Sequence, residues 1–524
     1  MTFPVLPTII QGGMGVAVSS WQMARAVAST GQLGVVSGTA LDSVLARRLQ
    51  DGDLAGHCRR ALADFPDQGM AERVLTKYHR PDGRASGTPY RPQPRLTASP
   101  GQDALDLAIT GNFVEVWLAK EGHQGLVGIN LLEKIQMGTP AALLGALLAG
   151  VDAVLMGAGI PREIPQLIRD LTAGRAGELT LDVAGATRRH VTRLDPQTAL
   201  GVPVPTLSKP EFLAIVSVHS LATYLCRDDR IRPDGFVVEG PLAGGHSAPP
   251  RGALQLGEDG GPVYGPRDLA DLTKFEGLGV PFWVAGAQAD PEGVAAALAE
   301  GAAGVQCGTV FALSTESGLA APLRERLLAE VRSGSLRVRN DPRASPTGFP
   351  FKLAELTDSA SQEGIYAQRP RLCDLSYLRE PYERPDGSLG YRCPSEPVDL
   401  YLRKGGAEAD TVGRRCLCNA LMANIGLGQT RKDGYVEVPG VTLGQDLRGA
   451  RRLLELYPQG WSAAEAVRWL LSDQEASGFF LPELTDPPRV DLAYPYAGEP
   501  DVDQLAADDH LDVGQIEIFG ARNR

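Results

Sequence analysis

The sequence predicts an α/β chain folded as a (β/α)8 barrel. Three observations carry that expectation. Short apolar runs recur through roughly the first 320 residues, and most are followed by a capped amphipathic segment. Eight such runs are present. They are apolar throughout rather than alternating, as strands covered on both faces are. Eight βα units suggest a closed barrel. Strand counting alone leaves an open doubly wound sheet as the alternative.

The elements follow in order. Thr8 to Gln11 reads as the first strand, and Ser20 caps a helix that ends at Gly31. Gly34 to Ser37 and Leu126 to Leu131 are the next strands. Thr139-Pro140 supplies an N-cap and a proline at the first helical position, and Gly150 closes that helix. Asp152 to Met156 is a strand followed by a helix from about Pro161. Leu213 to Val218 is a strand with a helix near Ser220, and Gly235 to Glu239 is a strand with a helix from about Arg267. Phe282 to Ala285, a helix from Asp290-Pro291 to Gly301, and Ala303 to Cys307 complete the set.

Three stretches interrupt the repeat as insertions, at about 51–101, 172–210 and 247–266. The first contains a proline-rich part, the second a strand-like LTLDV, and the third is a long loop. Loops this long in a compact domain usually have a function or are disordered. The barrel is expected over 1–330. Residues 331–524 form a C-terminal, mainly helical extension with GWSAAEAVRWLLSD as an amphipathic helix and an acidic, loose end near 500–512.

Composition sets limits on function. Hydrophobic content of 43% and charged content of 22% are those of a soluble globular protein. A net charge of −12 argues against a nucleic-acid partner, which needs a basic face. No apolar run is long enough to span a membrane, and the N-terminus has no leader pattern, so a cytoplasmic protein is expected. Seven cysteines do not suggest a secreted disulfide framework. The expected partner is a small-molecule substrate. Barrels of this kind often form homo-oligomers.

The residues that could carry chemistry fall where barrel strands end, which is where such barrels bind ligands. Gly12, Gly13 and Met14 follow the first strand, and Asn130 ends the third. Glu239 ends the sixth, followed by Gly244, Gly245 and His246. Gly286 and Ala287 follow the seventh. Gln306, Cys307, Gly308 and Thr309 lie at the eighth. Glycine lets backbone N–H groups approach a phosphate, so AGAQ and QCGT make a phosphate cradle.

In this order IIQGGMG, GIN, VVEGPLAGGH, WVAGAQAD and GVQCGTVFALSTESG resemble the nitronate monooxygenase (2-nitropropane dioxygenase) family, related to FMN-dependent enoyl-ACP reductases. The resemblance runs over about 4–320. It implies an FMN-binding TIM barrel and an oxidoreductase. The isoalloxazine would lie over Gly12, Gly13 and Met14, with Asn130 and Glu239 near the ring and the phosphate on Gly286 and Gln306 to Thr309. His246 matches the family's histidine beside the flavin.

Two departures stand out. The family's second glycine after strand seven is Ala287, which costs little if its φ is negative. Position 239, often Gln in the family, is Glu. The leading expectation is nitronate oxidation with O2 to a carbonyl compound and nitrite. There His246, with a pKa near neutrality, is the general base for a nitroalkane. An NAD(P)H-dependent reduction of an enoyl thioester is the alternative. An accessory barrel in a biosynthetic complex is a third, from another class.

His219 reads equally as a pocket histidine or a helix-start residue. His57, His79, His123, His190 and His510 read as surface or structural. Cys373, Cys393, Cys416 and Cys418 gather in the extension and are candidates for zinc or an iron–sulfur cluster, although their spacing lacks the usual C-x2-C pairs.

Overall fold

Eight parallel strands curl around a filled interior. They are β1 (Ile9–Gln11), β2 (Gly34–Ser37), β3 (Val127–Leu132), β4 (Ala153–Gly157), β7 (Glu211–Val216), β8 (Gly235–Glu239), β9 (Phe282–Ala285) and β10 (Gly304–Cys307). The computed structural model describes Phe3 and residues 5–472; the acidic end near 500–512 and His510 lie outside the described residues.

The strand order is β1-β10-β9-β8-β7-β4-β3-β2. The seam between β1 and β2 is closed by Gln11 N–H donating to Leu33 O at 3.0 Å and Leu33 N–H to Ile9 O at 3.1 Å. The buried Gln11 side chain extends the ladder by accepting Val35 N–H at 3.0 Å. The barrel is therefore closed, which removes the open-sheet alternative. Its interior is packed by Ile10, Leu33, Val35, Leu155, Leu213, Val237 and Trp283. Alternate residues such as Ile9, Val36, Ile129 and Val154 face the surrounding helices. Both faces are dry, which explains the unbroken apolar runs.

The helix starts obey local chemistry. Ser20 accepts from Met23 N–H, and Asp290 accepts from Gly293 N–H. Gly31, Gly150 and Gly301 adopt φ of 78°, 72° and 83° just past their helices. One start differs from expectation. Thr139 is already helical and Gly138 is the cap, because a 3-10 turn at Gln136–Gly138 feeds straight into the helix.

The first insertion holds helices His57–Ala63 and Gln68–Tyr78. Its proline-rich part then runs onto the extension, where Tyr90 N–H donates to Gln429 Oε1 at 2.7 Å and Arg379 to Leu96 O at 2.9 Å. The second forms an antiparallel hairpin, β5 (Gly177–Thr180) with β6 (Val191–Leu194).

The extension has short helices, including Arg448–Leu456 and Ala463–Leu470, the latter starting in a Ser462/Glu465 capping box. It also has two hairpins: β11 (Val338–Asp341) with β12 (Phe351–Ala354), and β13 (Glu380–Glu383) with β14 (Leu389–Arg392). One hydrophobic core runs from Ile9 to Leu471, so the extension shares the barrel's core. Trp461 is buried in it and donates Nε1–H to Val310 O at 2.7 Å.

Candidate functional site

All the residues singled out at strand ends line one cleft at the C-terminal mouth of the barrel. The turn after β1 is knitted by Ser19, whose Oγ donates to Gly12 O at 2.8 Å and accepts Met14 N–H at 2.9 Å. Gly12 N–H donates to Cys307 O at 2.9 Å, fastening this turn to β10. A Cβ on Gly13 would fall 2.2 Å from the Cβ of Asn130, so only glycine fits there. Asn130 Oδ1 and Gln306 Oε1 are buried acceptors without a protein donor among the described residues. An unpaired buried acceptor is costly unless a ligand satisfies it. After β9, the N–H groups of Ala287, Gln288 and Ala289 have no acceptor among the described residues. A flavin offers what this cleft lacks: N–H and hydroxyl donors for the two amides, and phosphate oxygens for the loop.

Ala287 corrects one expectation. Its φ is +59°, in the left-handed region, beside Gly286 at +96°. The loop geometry is the one two glycines would adopt, and the Cβ is accommodated at a strain cost.

Gly244 and Gly245 line the cleft, but their glycine character answers to the extension. A Cβ on Gly244 would lie 2.9 Å from the Leu443 carbonyl carbon. Gly245, at φ +80°, donates to Thr442 Oγ1 at 2.9 Å. Thr309 Oγ1 accepts Gly444 N–H at 2.9 Å, so its hydroxyl oxygen also serves the extension.

His246 is partly exposed, with Nε2 2.7 Å from Ser345 Oγ and its ring edge-on to Phe351 at 4.8 Å between centroids. Burial pushes its pKa down to about 4, not near neutrality as the sequence suggested. The imidazole is neutral at pH 7. Glu239 has the opposite shift: burial pushes its carboxyl up to about 7, with the Lys352 ammonium pulling the other way. Lys352 is fully buried and donates to Ser247 Oγ.

Ser345, Phe351, Lys352, Leu443 and Gly444 were not found by sequence reasoning, since they carry no motif. The one visible signal was a lysine inside the apolar run Phe349–Ala354. His219 opens the helix His219–Leu225 and does not line the cleft. His190 pairs with Glu383 at 2.7 Å and His123 with Ala119 O at 2.6 Å, as structural residues do.

The four extension cysteines do line one small cavity together. Among the described residues, no group of three or more His, Cys, Asp or Glu side chains is arranged to hold a metal ion. The thiols are free, and a hydrogen bond with Cys393 lowers the Cys373 thiol to about 7.

The closed barrel with one cleft at the C-terminal ends of its strands has the architecture of a ligand-binding (β/α)8 barrel. Residues 195–339 carry a domain matching the nitronate monooxygenase family model, and this stretch includes Glu239, His246, Ala287 and Gln306 to Thr309. No curated protein matches the chain. Among solved structures, FabK from Thermotoga maritima is similar at 15% identity, 90% coverage of this chain, 94% of that chain and a TM-score of 0.44. Nitroalkane oxidase from Streptomyces ansochromogenes follows at 18%, 91%, 97% and 0.39. The enoyl reductase domain of MlnA from Bacillus amyloliquefaciens stands at 11%, 91%, 96% and 0.44. Among the described residues no helix is long and apolar enough to cross a membrane.

Proposed function

We propose that the cleft binds FMN and that the protein reduces an enoyl thioester with electrons from NAD(P)H. One observation carries the choice of substrate. Among the described residues lining the cleft, the acidic ones are Glu239, Asp290 and Asp446; no Lys or Arg is present, and His246 is neutral. A nitronate anion would enter an apolar, acid-lined cleft without a cation to meet it. An uncharged thioester faces no such cost.

Asn130 Oδ1 and Gln306 Oε1 accept hydrogen bonds from the cofactor, and the Ala287 to Ala289 amides take its phosphate. Bound there, FMN supplies hydride acceptance from NAD(P)H and delivery to a conjugated double bond. Leu242, Phe351, Leu421 and Leu443 give the cleft an apolar wall suited to an acyl chain. His246, held at Nε2 by Ser345, orients the acyl carbonyl through its other ring nitrogen.

The family match over 195–339 favours a second reading, nitronate oxidation. In it His246 is a weaker base for a neutral nitroalkane than a near-neutral pKa would make it.

An anaerobic absorbance experiment separates the two. NADPH should bleach the flavin spectrum, and an enoyl thioester should restore it. Bleaching by propyl nitronate alone, with nitrite formed in air, would establish the second reading. A colourless protein that takes up no added FMN would overturn both and favour the accessory barrel.

A further inference from the structure

Glu239 stands between two cavities. On one side is the cleft; on the other is a small cavity also lined by Ser247, Arg251, Tyr264 and Asp268. The second cavity, about 20 Å3, has room for about one water. Lys352 comes from β12, which is stitched to the loop after β8 by Lys352 N–H donating to Gly245 O at 3.0 Å and Ser247 N–H to Pro350 O at 2.9 Å. Its ammonium is wholly buried, with Ser247 Oγ as its hydrogen-bond acceptor, and the Glu239 charge acts on it. The Glu239 carboxyl itself takes part in no hydrogen bond with another described residue, so its oxygens are available to both cavities.

We propose that Glu239 carries a proton from the second cavity into the cleft, with Lys352 as the positioning residue that sets its charge. This rests on the enoyl-reduction reading. Each double bond reduced takes one hydride and one proton. The hydride originates in NAD(P)H. The proton leaves the Glu239 carboxyl for the carbon next to the thioester carbonyl, its O–H bond breaking as the C–H bond forms. Water in the second cavity then relays a proton from solvent to the carboxylate, which restores the acid.

The groups facing Glu239 fit this assignment. His246, on the loop after β8, is neutral and is a poor proton source. Lys352, on β12, is the cation. Arg251, Tyr264 and Asp268 line the second cavity, and Asp290 and Asp446 line the cleft. Burial keeps the carboxyl protonated up to about pH 7, and the Lys352 charge limits how far that goes.

The test is an infrared titration of the purified protein. A carboxylic-acid band should disappear as pH rises, with its midpoint near 7, and should be absent from Glu239→Gln. Removing the cation in Lys352→Met, or in Lys352→Gln should the first not fold, should move the midpoint up by roughly one unit. The alkaline limb of turnover should move with it. Glu239→Gln should lose about a hundredfold in kcat, a larger loss than in the rate at which NADPH bleaches the flavin. The proposal is overturned if no titrating band is lost in Glu239→Gln, or if the midpoint ignores Lys352. The infrared readout does not need flavin, so a failure of FMN binding would be seen separately.

Discussion

At Ala287 the φ of +59° sets a measurable cost. A left-handed alanine costs roughly 1–2 kcal/mol, and glycine gives back part of that through unfolded-state entropy. Ala287→Gly should therefore stabilise the protein by up to about 1 kcal/mol in urea unfolding with an unchanged m-value. A less stable variant would show that the loop holds alanine without strain. His246 makes a pH prediction. Its pKa falls from 6.5 in the unfolded chain to about 4 in the fold. The unfolded chain then binds the proton first, so this contribution is complete above pH 6.5 and is lost as pH falls to about 4. Its size is roughly 3 kcal/mol at most, given the partial exposure. Glu239, raised by burial, acts with the opposite sign, so the comparison with His246→Gln isolates the histidine. Wild type should lose more stability than His246→Gln between pH 7 and pH 4.5; equal slopes would show that His246 is not held neutral. Spacing in the sequence brought these residues to one cleft. It could not reveal the dihedral at Ala287 or the burial of His246, because Ser345 and Phe351 belong to a distant part of the chain.

Element by element, the barrel strands and their caps were legible because their signals are local. Ser20, Asp290 and Ser462 bind the amides that their types and positions imply. The hairpins of the extension were not. Strands such as VRND and FKLA are short and do not alternate cleanly, and β12 is fixed in part by the loop at Gly245 to Ser247. The helix Arg448–Leu456 shows the same dependence on distant contact. A Cβ on Gly449 would lie 1.9 Å from Ala289 O, in the loop whose amides face the cleft. Backbone meets backbone there, and neither can rotate away. Gly449→Ala should cost about 1–3 kcal/mol as overpacking does, and should weaken FMN binding by displacing that loop. An unchanged FMN titration would show that the helix does not clamp the phosphate end.

Over the whole molecule, the sequence separates a barrel from an extension, yet the two share a core and the cleft is walled by both. Gly244 packs on Leu443, Thr309 accepts from Gly444, and Trp461 bonds to Val310. The buried pair Arg369–Glu437, at 2.6 Å, ties distant parts of the extension together. A ligand that binds only the folded cleft must then stabilise both parts at once. At a hundredfold excess over its Kd, FMN should add about 2.7 kcal/mol to the unfolding free energy. Tryptophan fluorescence, which includes buried Trp283 in the barrel and Trp461 in the extension, and far-ultraviolet circular dichroism should report one coincident transition, with and without FMN. If FMN shifts only one of two separated transitions, the extension folds independently. The cleft would then be a barrel site with a loosely docked wall, and Lys352 could not set the charge of Glu239.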